Sequence, residues 1–152
     1  LKTDEEFSDL AYPYISSVAK NCDPQKIAKL LKTRISKLSD IPDLIDFFES
    51  LPDYDVNMFE NKKSKTNLEI SKNVLEKILP EFENLQSWTY ESIHDLLINF
   101  AQSNEMKNGT VMWPVRIAVS GKAMTPGGAV EILEILGKEE SLKRIKNAIS
   151  KL

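Results

Sequence analysis

The sequence predicts an all-α protein, on three observations. Apolar residues recur at three- and four-residue intervals along nearly all of its 152 positions, whereas a half-buried strand would alternate. No pair of alternating runs flanks a short turn, as a hairpin would require. Prolines, glycines and capping residues fall where the apolar runs begin and end.

Each element follows from its own residues. A first helix, about Asp4 to Lys20, puts Phe7, Leu10, Ala11, Tyr14 and Val18 on one side, with Pro13 expected to bend or interrupt it. Asp23 then Pro24 is an N-cap and first-turn pair opening a helix with the stripe Ile27, Leu30, Leu31, Ile35, Leu38. Ser39-Asp40-Ile41-Pro42 ends that stripe and starts a shorter helix through Leu44, Ile45, Phe47, Phe48 and Leu51. From Leu51 to Asn67 no long stripe appears, and Pro52, Asn57, Asn61 and the basic cluster Lys62, Lys63, Lys65 mark a junction between two helical subdomains, 1–60 and 61–152. The next stripe is Leu68, Val74, Leu75, Ile78, Leu79, Phe82, Leu85, kinked at Pro80. Thr89 caps a helix bearing Ile93, Leu96, Leu97, Phe100 and Ala101. Val111 to Val119 closes at Ser120-Gly121, where glycine can adopt the left-handed conformation. The turn Thr125-Pro126-Gly127-Gly128 leads into Ala129 to Leu136, stopped by Gly137, and the last helix turns Leu142, Ile145, Ile149 and Leu152 inward.

Composition limits the function. At 41% hydrophobic residues the chain can bury one core or two small ones. Cys22 is its one cysteine and His94 its one histidine, so an internal disulfide and a Cys/His zinc site are both excluded, and no metal site is expected. Apolar runs fall short of the roughly 18 residues of a transmembrane span, and the first turn is acidic (Asp4, Glu5, Glu6) where a signal peptide would be basic. A soluble cytoplasmic protein, monomeric and free of membrane contacts, is the expectation. A start at Leu1 rather than Met suggests a piece of a longer chain. The net charge of −3 is unevenly placed: residues 1–106 hold 12 Lys+Arg against 19 Asp+Glu, and residues 107–152 hold 8 against 4. A basic C-terminal third can be a solvated helix face or a local phosphate-binding patch.

Two constellations stand out. Arg34 falls on the stripe of the second helix where leucine would be expected. Its guanidinium either snorkels or pairs with a carboxylate, or it presents a rigid, always charged fork to a phosphate or base edge. The second is the basic segment with Trp113, Arg116, Lys122 and the Thr125-Pro126-Gly127-Gly128 turn, whose exposed amides and glycines allow an anion to approach the backbone. Core packing for Trp113 and an ion pair for Arg116 are the structural alternatives. Catalytic residues are not expected: there is no Gly-x-Ser-x-Gly elbow, Cys22 has no local motif, and His94 sits beside an apolar stripe as a structural or surface histidine. The aromatics Tyr12, Tyr14, Tyr54, Trp88 and Tyr90 are scattered, with no spacing that marks a base-stacking row.

The run Met112-Trp113-Pro114-Val115-Arg116-Ile117-Ala118-Val119-Ser120-Gly121-Lys122, then Thr125-Pro126-Gly127, then Glu131 to Glu139 ending in Leu136-Gly137-Lys138-Glu139, resembles the end of bacterial-type, class I glutamyl-tRNA synthetases. Arg34 through Phe48 looks like the first helical subdomain of that family's anticodon-binding region. The family's catalytic His-x-Gly-His and Lys-x-Ser-Lys signatures are absent, with only Lys63-Ser64-Lys65 as a faint counterpart.

The resemblance implies an all-helical anticodon-binding region of two subdomains that binds glutamate tRNA and performs no chemistry itself. ATP and magnesium would be bound by a catalytic domain of the same parent chain, and this fragment needs no cofactor. Arg34 resembles the arginine that reads the third anticodon base. A cytosine there offers acceptors to a guanidinium and a guanine confronts it with donors, a difference worth about 1–3 kcal/mol. Thr125, Pro126, Gly127 and Gly128 resemble the turn that touches the first and middle bases. Gly128 departs from the family, where a larger apolar residue is usual. Arg116 and Lys122 are candidates for phosphate or RNA contacts. Single-stranded anticodons are read with their bases splayed out, so an acidic protein can do it. The alternative is a helical protein-interaction domain without RNA binding, with an exposed apolar groove in place of a basic face.

Overall fold

The computed structural model describes residues 2–152. Among the described residues eight α-helices and two 3₁₀ turns account for the regular structure, and the one β feature is a bridge between Asn61 and Thr66. The all-α expectation holds.

Helix α1 (Asp4–Ser16) is opened by a capping box in which the Thr3 hydroxyl accepts from the Glu6 amide and Glu6 reaches back to the Thr3 amide. It runs through Pro13 without interruption. Its buried line is Phe7, Ala11 and Ile15, a strict four-residue stagger that Ala19 extends just past the helix end, and Leu10 and Tyr14, expected inward, lie exposed. Helix α2 (Pro24–Leu31) begins as expected at Asp23, whose carboxylate accepts from the Gln25 amide. It ends seven residues before Leu38. The carbonyl of Leu30, which in a continuing helix would take the amide of residue 34, instead accepts from the Arg34 guanidinium, at 2.7 Å. The Arg34 amide turns to the Leu31 carbonyl, tightening and closing the helix. Arg34, Ile35 and Leu38 therefore do not continue the stripe. A 3₁₀ turn, Leu38–Asp40, feeds α3 (Ile41–Glu49), which buries Ile41, Ile45, Phe47 and Phe48.

The junction segment has an anchor that no periodicity could reveal. Its 3₁₀ turn, Val56–Phe59, buries Phe59 completely and packs on the following helices. Helix α4 (Leu68–Glu83) is capped by Asn67 and passes through Pro80, and α5 (Tyr90–Ser103) is capped by Thr89. Helix α6 (Asn108–Ser120) stops at Gly121, whose φ of +65° is the left-handed closing conformation. Helices α7 (Ala129–Leu136) and α8 (Lys138–Lys151) are separated by Gly137.

Helix α1 packs on both α2 and α3, and α4 to α8 form a second packed group, with α2 touching α7 between the groups. A single hydrophobic cluster runs through both. The chief polar tie is Arg144 on α8, 2% exposed. Its guanidinium donates to Phe47 O at 2.7 Å and Val119 O at 2.8 Å, and its Nε to Glu140 at 2.8 Å. Phe47 and Val119 lie in the last turns of α3 and α6, where carbonyls have no helical partner and the helix dipole favours a cation. One buried arginine thus closes two helices.

Candidate nucleic-acid interface

The two constellations picked out by sequence converge at the junction of α2, α6 and α7. The 125–128 turn is held from below by Arg116 on α6. This guanidinium donates to the Thr125 hydroxyl at 2.8 Å and to Ala123 O at 2.7 Å, and it lies 4.9 Å over the Trp113 ring. Partial burial pulls its pKa below the ordinary arginine value, an effect that leaves it charged. Thr125 passes the chain of bonds on, its hydroxyl donating to Gly127 O at 2.8 Å. Pro126 is buried, and Gly128 stands exposed at the start of α7.

Glu131 joins this turn to Arg34. One of its oxygens accepts from the Gly128 amide at 3.0 Å, a capping contact at the α7 N-terminus. The other lies 3.8 Å from Arg34 Nη2, an ion pair too long for a hydrogen bond. Arg34 keeps 42% of its side chain exposed. The pairing read from sequence is present, since the side chain closes α2 and leans toward a carboxylate, and the guanidinium side chain stays partly open to solvent.

The two glycines of the turn differ. Gly127 has φ +81°, and a Cβ there would come within 2.5 Å of Leu30 and 2.8 Å of Glu131, so glycine lets α7 approach α2. At Gly128 an added Cβ would meet nothing within 4 Å, leaving an open floor where a side chain could stand.

Lys122 belongs to a different task. Its ammonium ion-pairs with Asp46, donates to Asp43 O at 3.1 Å, and lies 5.7 Å from the Phe47 ring. It fastens the end of α6 to α3. Trp113 likewise donates its indole N–H to Met58 O at 2.9 Å, so the ring is half-buried structure as well as the bed for Arg116.

Sequence spacing missed the aromatic side of this surface. Tyr90 and His94 on α5 are one helical turn apart, with ring centroids 6.1 Å apart and planes within 9°. They line a cleft of about 330 Å³ whose other side carries Trp113, Arg116 and Gly128. Two patterns could have pointed to them: the i, i+4 spacing of two rings, and their placement beside rather than on the buried stripe. Among the described residues no three His, Cys, Asp or Glu side chains come together as a metal-holding group, and no helix is long and apolar enough to cross a membrane.

Comparison with known proteins decides the family. The profile of the anticodon binding domain family matches residues 6–149. The chain belongs to the anticodon-binding domain family. Its form is the one found in glutamate–tRNA ligases: it is 53% identical over 149 residues to the glutamate–tRNA ligase of Clostridium kluyveri and 52% identical to that of Clostridium tetani. These matches cover 97% of the chain but only 31% and 30% of the two relatives, so the chain spans about a third of their length. The fold is shared with the crystal structure of a glutamate tRNA ligase from Elizabethkingia meningosepticum in complex with its amino acid. That likeness has a TM-score of 0.79 at 24% identity and covers 96% of this chain and 30% of the other. The enzyme of Elizabethkingia anophelis gives a TM-score of 0.71, also at 24% identity.

Proposed function

We propose that this anticodon-binding domain reads the anticodon of glutamate tRNA and thereby presents that tRNA to the catalytic part of a parent glutamate–tRNA ligase. The observation that carries this reading is the convergence of Arg34 with the 125–128 turn through Glu131. A polar fork and a loop with an exposed glycine, far apart in sequence, share one accessible surface. Arg34 would meet the third anticodon base, offering donors to cytosine acceptors and opposing guanine donors. Thr125 to Gly128 would meet the first and middle bases, with Arg116 setting the position of the turn and adding charge beneath it. Glu131, by drawing on Arg34 and on the Gly128 amide, holds both reading elements in register. Lys122, tied to Asp46 and Asp43, fastens the end of α6 to α3 rather than touching RNA.

Under this reading the covalent steps belong to the parent chain. Its catalytic part would bind ATP and magnesium and attach glutamate, while the domain supplies affinity and selection. The partners are then glutamate tRNA and the remainder of the parent chain, and the working form is a cytoplasmic monomer divided near residues 60 and 61.

A second reading, as a protein-interaction domain, has one feature in its favour. An apolar groove of about 640 Å³ runs along Phe7, Leu10, Ile35 and Leu38. Binding of RNA hairpins that carry the glutamate anticodon or an unrelated one distinguishes the two. Preference for the glutamate anticodon supports the reader. Equal affinity for both removes base reading, and loss of a protein partner on Leu10→Asp, with no RNA bound, favours the groove.

A further inference from the structure

Arg34 and Glu131 face each other with only part of each side chain committed. On the arginine, Nη1 donates to Leu30 O at 2.7 Å and Nη2 stands 3.8 Å from Glu131 Oε2. On the glutamate, Oε1 accepts from the Gly128 amide at 3.0 Å, while Oε2 accepts no hydrogen bond among the described residues. Both side chains reach solvent, and Glu131 lines an open groove of about 540 Å³ between α2 and α7, opposite Leu30 and Lys29 and one turn before Glu134. An uncommitted carboxylate oxygen has lone pairs for two donors and makes charge-assisted hydrogen bonds with them. The edge it favours is the reverse of the one the arginine favours. Guanine presents N1–H and N2–H side by side, which a carboxylate accepts and a guanidinium opposes. Cytosine presents N3 and O2, which a guanidinium serves and a carboxylate repels.

We propose that Glu131 is a second specificity-determining residue beside Arg34: its free oxygen is a latent acceptor for a guanine edge, and Arg34, by drawing on that oxygen, withholds it. The inference rests on the reading of Arg34 as the residue that meets the third anticodon base, and it deepens that reading by assigning the rejection of guanine to a pair of side chains. Arg34 then acts twice, opposing the guanine donors directly and engaging the one neighbouring group that rewards them. Its loss does more than remove a contact to cytosine, because it releases a carboxylate that accepts from the wrong base. The pairing is loose enough for this role. At 3.8 Å the Arg34–Glu131 contact offsets charge without locking either group in a hydrogen bond. The other oxygen keeps the carboxylate in place, since the Gly128 amide at the start of α7 holds it whatever stands at position 34.

Binding of the 152-residue chain at low salt to hairpins that differ only in a third anticodon base of cytosine, guanine or hypoxanthine tests this. Glu131→Gln removes the charge and keeps an oxygen for the Gly128 amide, so the cap of α7 survives. In the Arg34→Gln chain, adding Glu131→Gln should weaken the guanine hairpin about tenfold and the cytosine hairpin by less than about twofold. A loosened helix end would weaken both alike. With Arg34 in place, Glu131→Gln should change the guanine hairpin by less than about twofold, because the oxygen is already engaged. Hypoxanthine lacks the N2 amine, and the Arg34→Gln chain should bind it about threefold more weakly than guanine, a readout that needs no change at Glu131. Glu134→Gln, lining the same groove, should leave the guanine-to-cytosine ratio of the Arg34→Gln chain unaltered. If Glu131→Gln in that chain weakens neither hairpin, or both equally, the latent acceptor is wrong, and a cytosine preference in the unaltered chain keeps the anticodon reading. If the unaltered chain binds the cytosine and guanine hairpins alike, that reading fails and the proposal with it.

Discussion

Gly127 and Gly128 are neighbours with opposite obligations. Alanine at Gly127 must take φ +81° and push Leu30 and Glu131 aside, which costs about 1–2 kcal/mol for the backbone alone. Alanine at Gly128, at φ −106° with open space around it, costs little. Thermal unfolding should show Gly127→Ala several degrees below the parent and Gly128→Ala within about one degree; equal losses would mean that the turn is not seated against α2 and Glu131. Tyr54 makes a second prediction. Its hydroxyl is buried without a hydrogen-bond partner, and burial raises its pKa from an ordinary 10.0 to about 12. A raised tyrosine pKa means that the folded state holds the proton more tightly. Its contribution is whole below pH 10 and declines as the unfolded chain ionises between pH 10 and pH 12. Tyr54→Phe should match the parent at neutral pH, because the phenol there has no partner to lose, and should fall less steeply through the alkaline window. A parallel decline in chemical denaturation series would contradict the burial argument.

Helix ends carry the distinctive chemistry of the elements, and Arg144 is the clearest case. Replacing it by methionine leaves the Phe47 and Val119 carbonyls facing a thioether and Glu140 without its guanidinium. A loss of about 3 kcal/mol is expected, read as a lowered midpoint in urea, and a change below about 1 kcal/mol would show that water replaces the fork. Arg144→Lys should restore only part, because a single ammonium cannot reach both helix ends in the same geometry. Two helix starts were legible in sequence, Asp23 and Thr89 standing where the capping rule puts them, whereas the caps at Thr3 and Asn67 obey the same rule and were not singled out. The end of α2 was not legible. Its stripe continues in apolar spacing through Leu38, and only the tertiary fact that a guanidinium takes the Leu30 carbonyl stops the helix at Leu31. Leu10 and Tyr14 were misplaced for a related reason: a helix carries more apolar residues than its partners can cover, and spacing alone does not say which line is chosen.

At the scale of the whole molecule, a chain of net charge −3 must attract RNA through local rather than overall charge. Lys62, Lys63, Lys65 and Lys107 are all exposed, and the turn before α4 brings Lys65 close to Lys107 at the start of α6. The double replacement Lys65→Gln with Lys107→Gln should flatten the dependence of log affinity on log salt by about one to two units; an unchanged slope would place the phosphates elsewhere. The convergence on which the proposed function rests was only half legible. Arg34 and the 125–128 turn could each be singled out by an unexpected arginine and by turn residues, but Glu131, which joins them, has ordinary surface-helix spacing. Tyr90 and His94 are neighbours by helical spacing on α5, but Trp113 comes to their cleft only through the packing of α5 against α6. The central claim is that Arg34 reads a base from this joined surface, and competition between hairpins ending their anticodon in C or in G tests it most directly. The account predicts that the unaltered chain prefers C by about tenfold or more and that Arg34→Gln, folded to the same thermal midpoint, loses that preference. An Arg34→Gln chain that still prefers C to the same extent would contradict it.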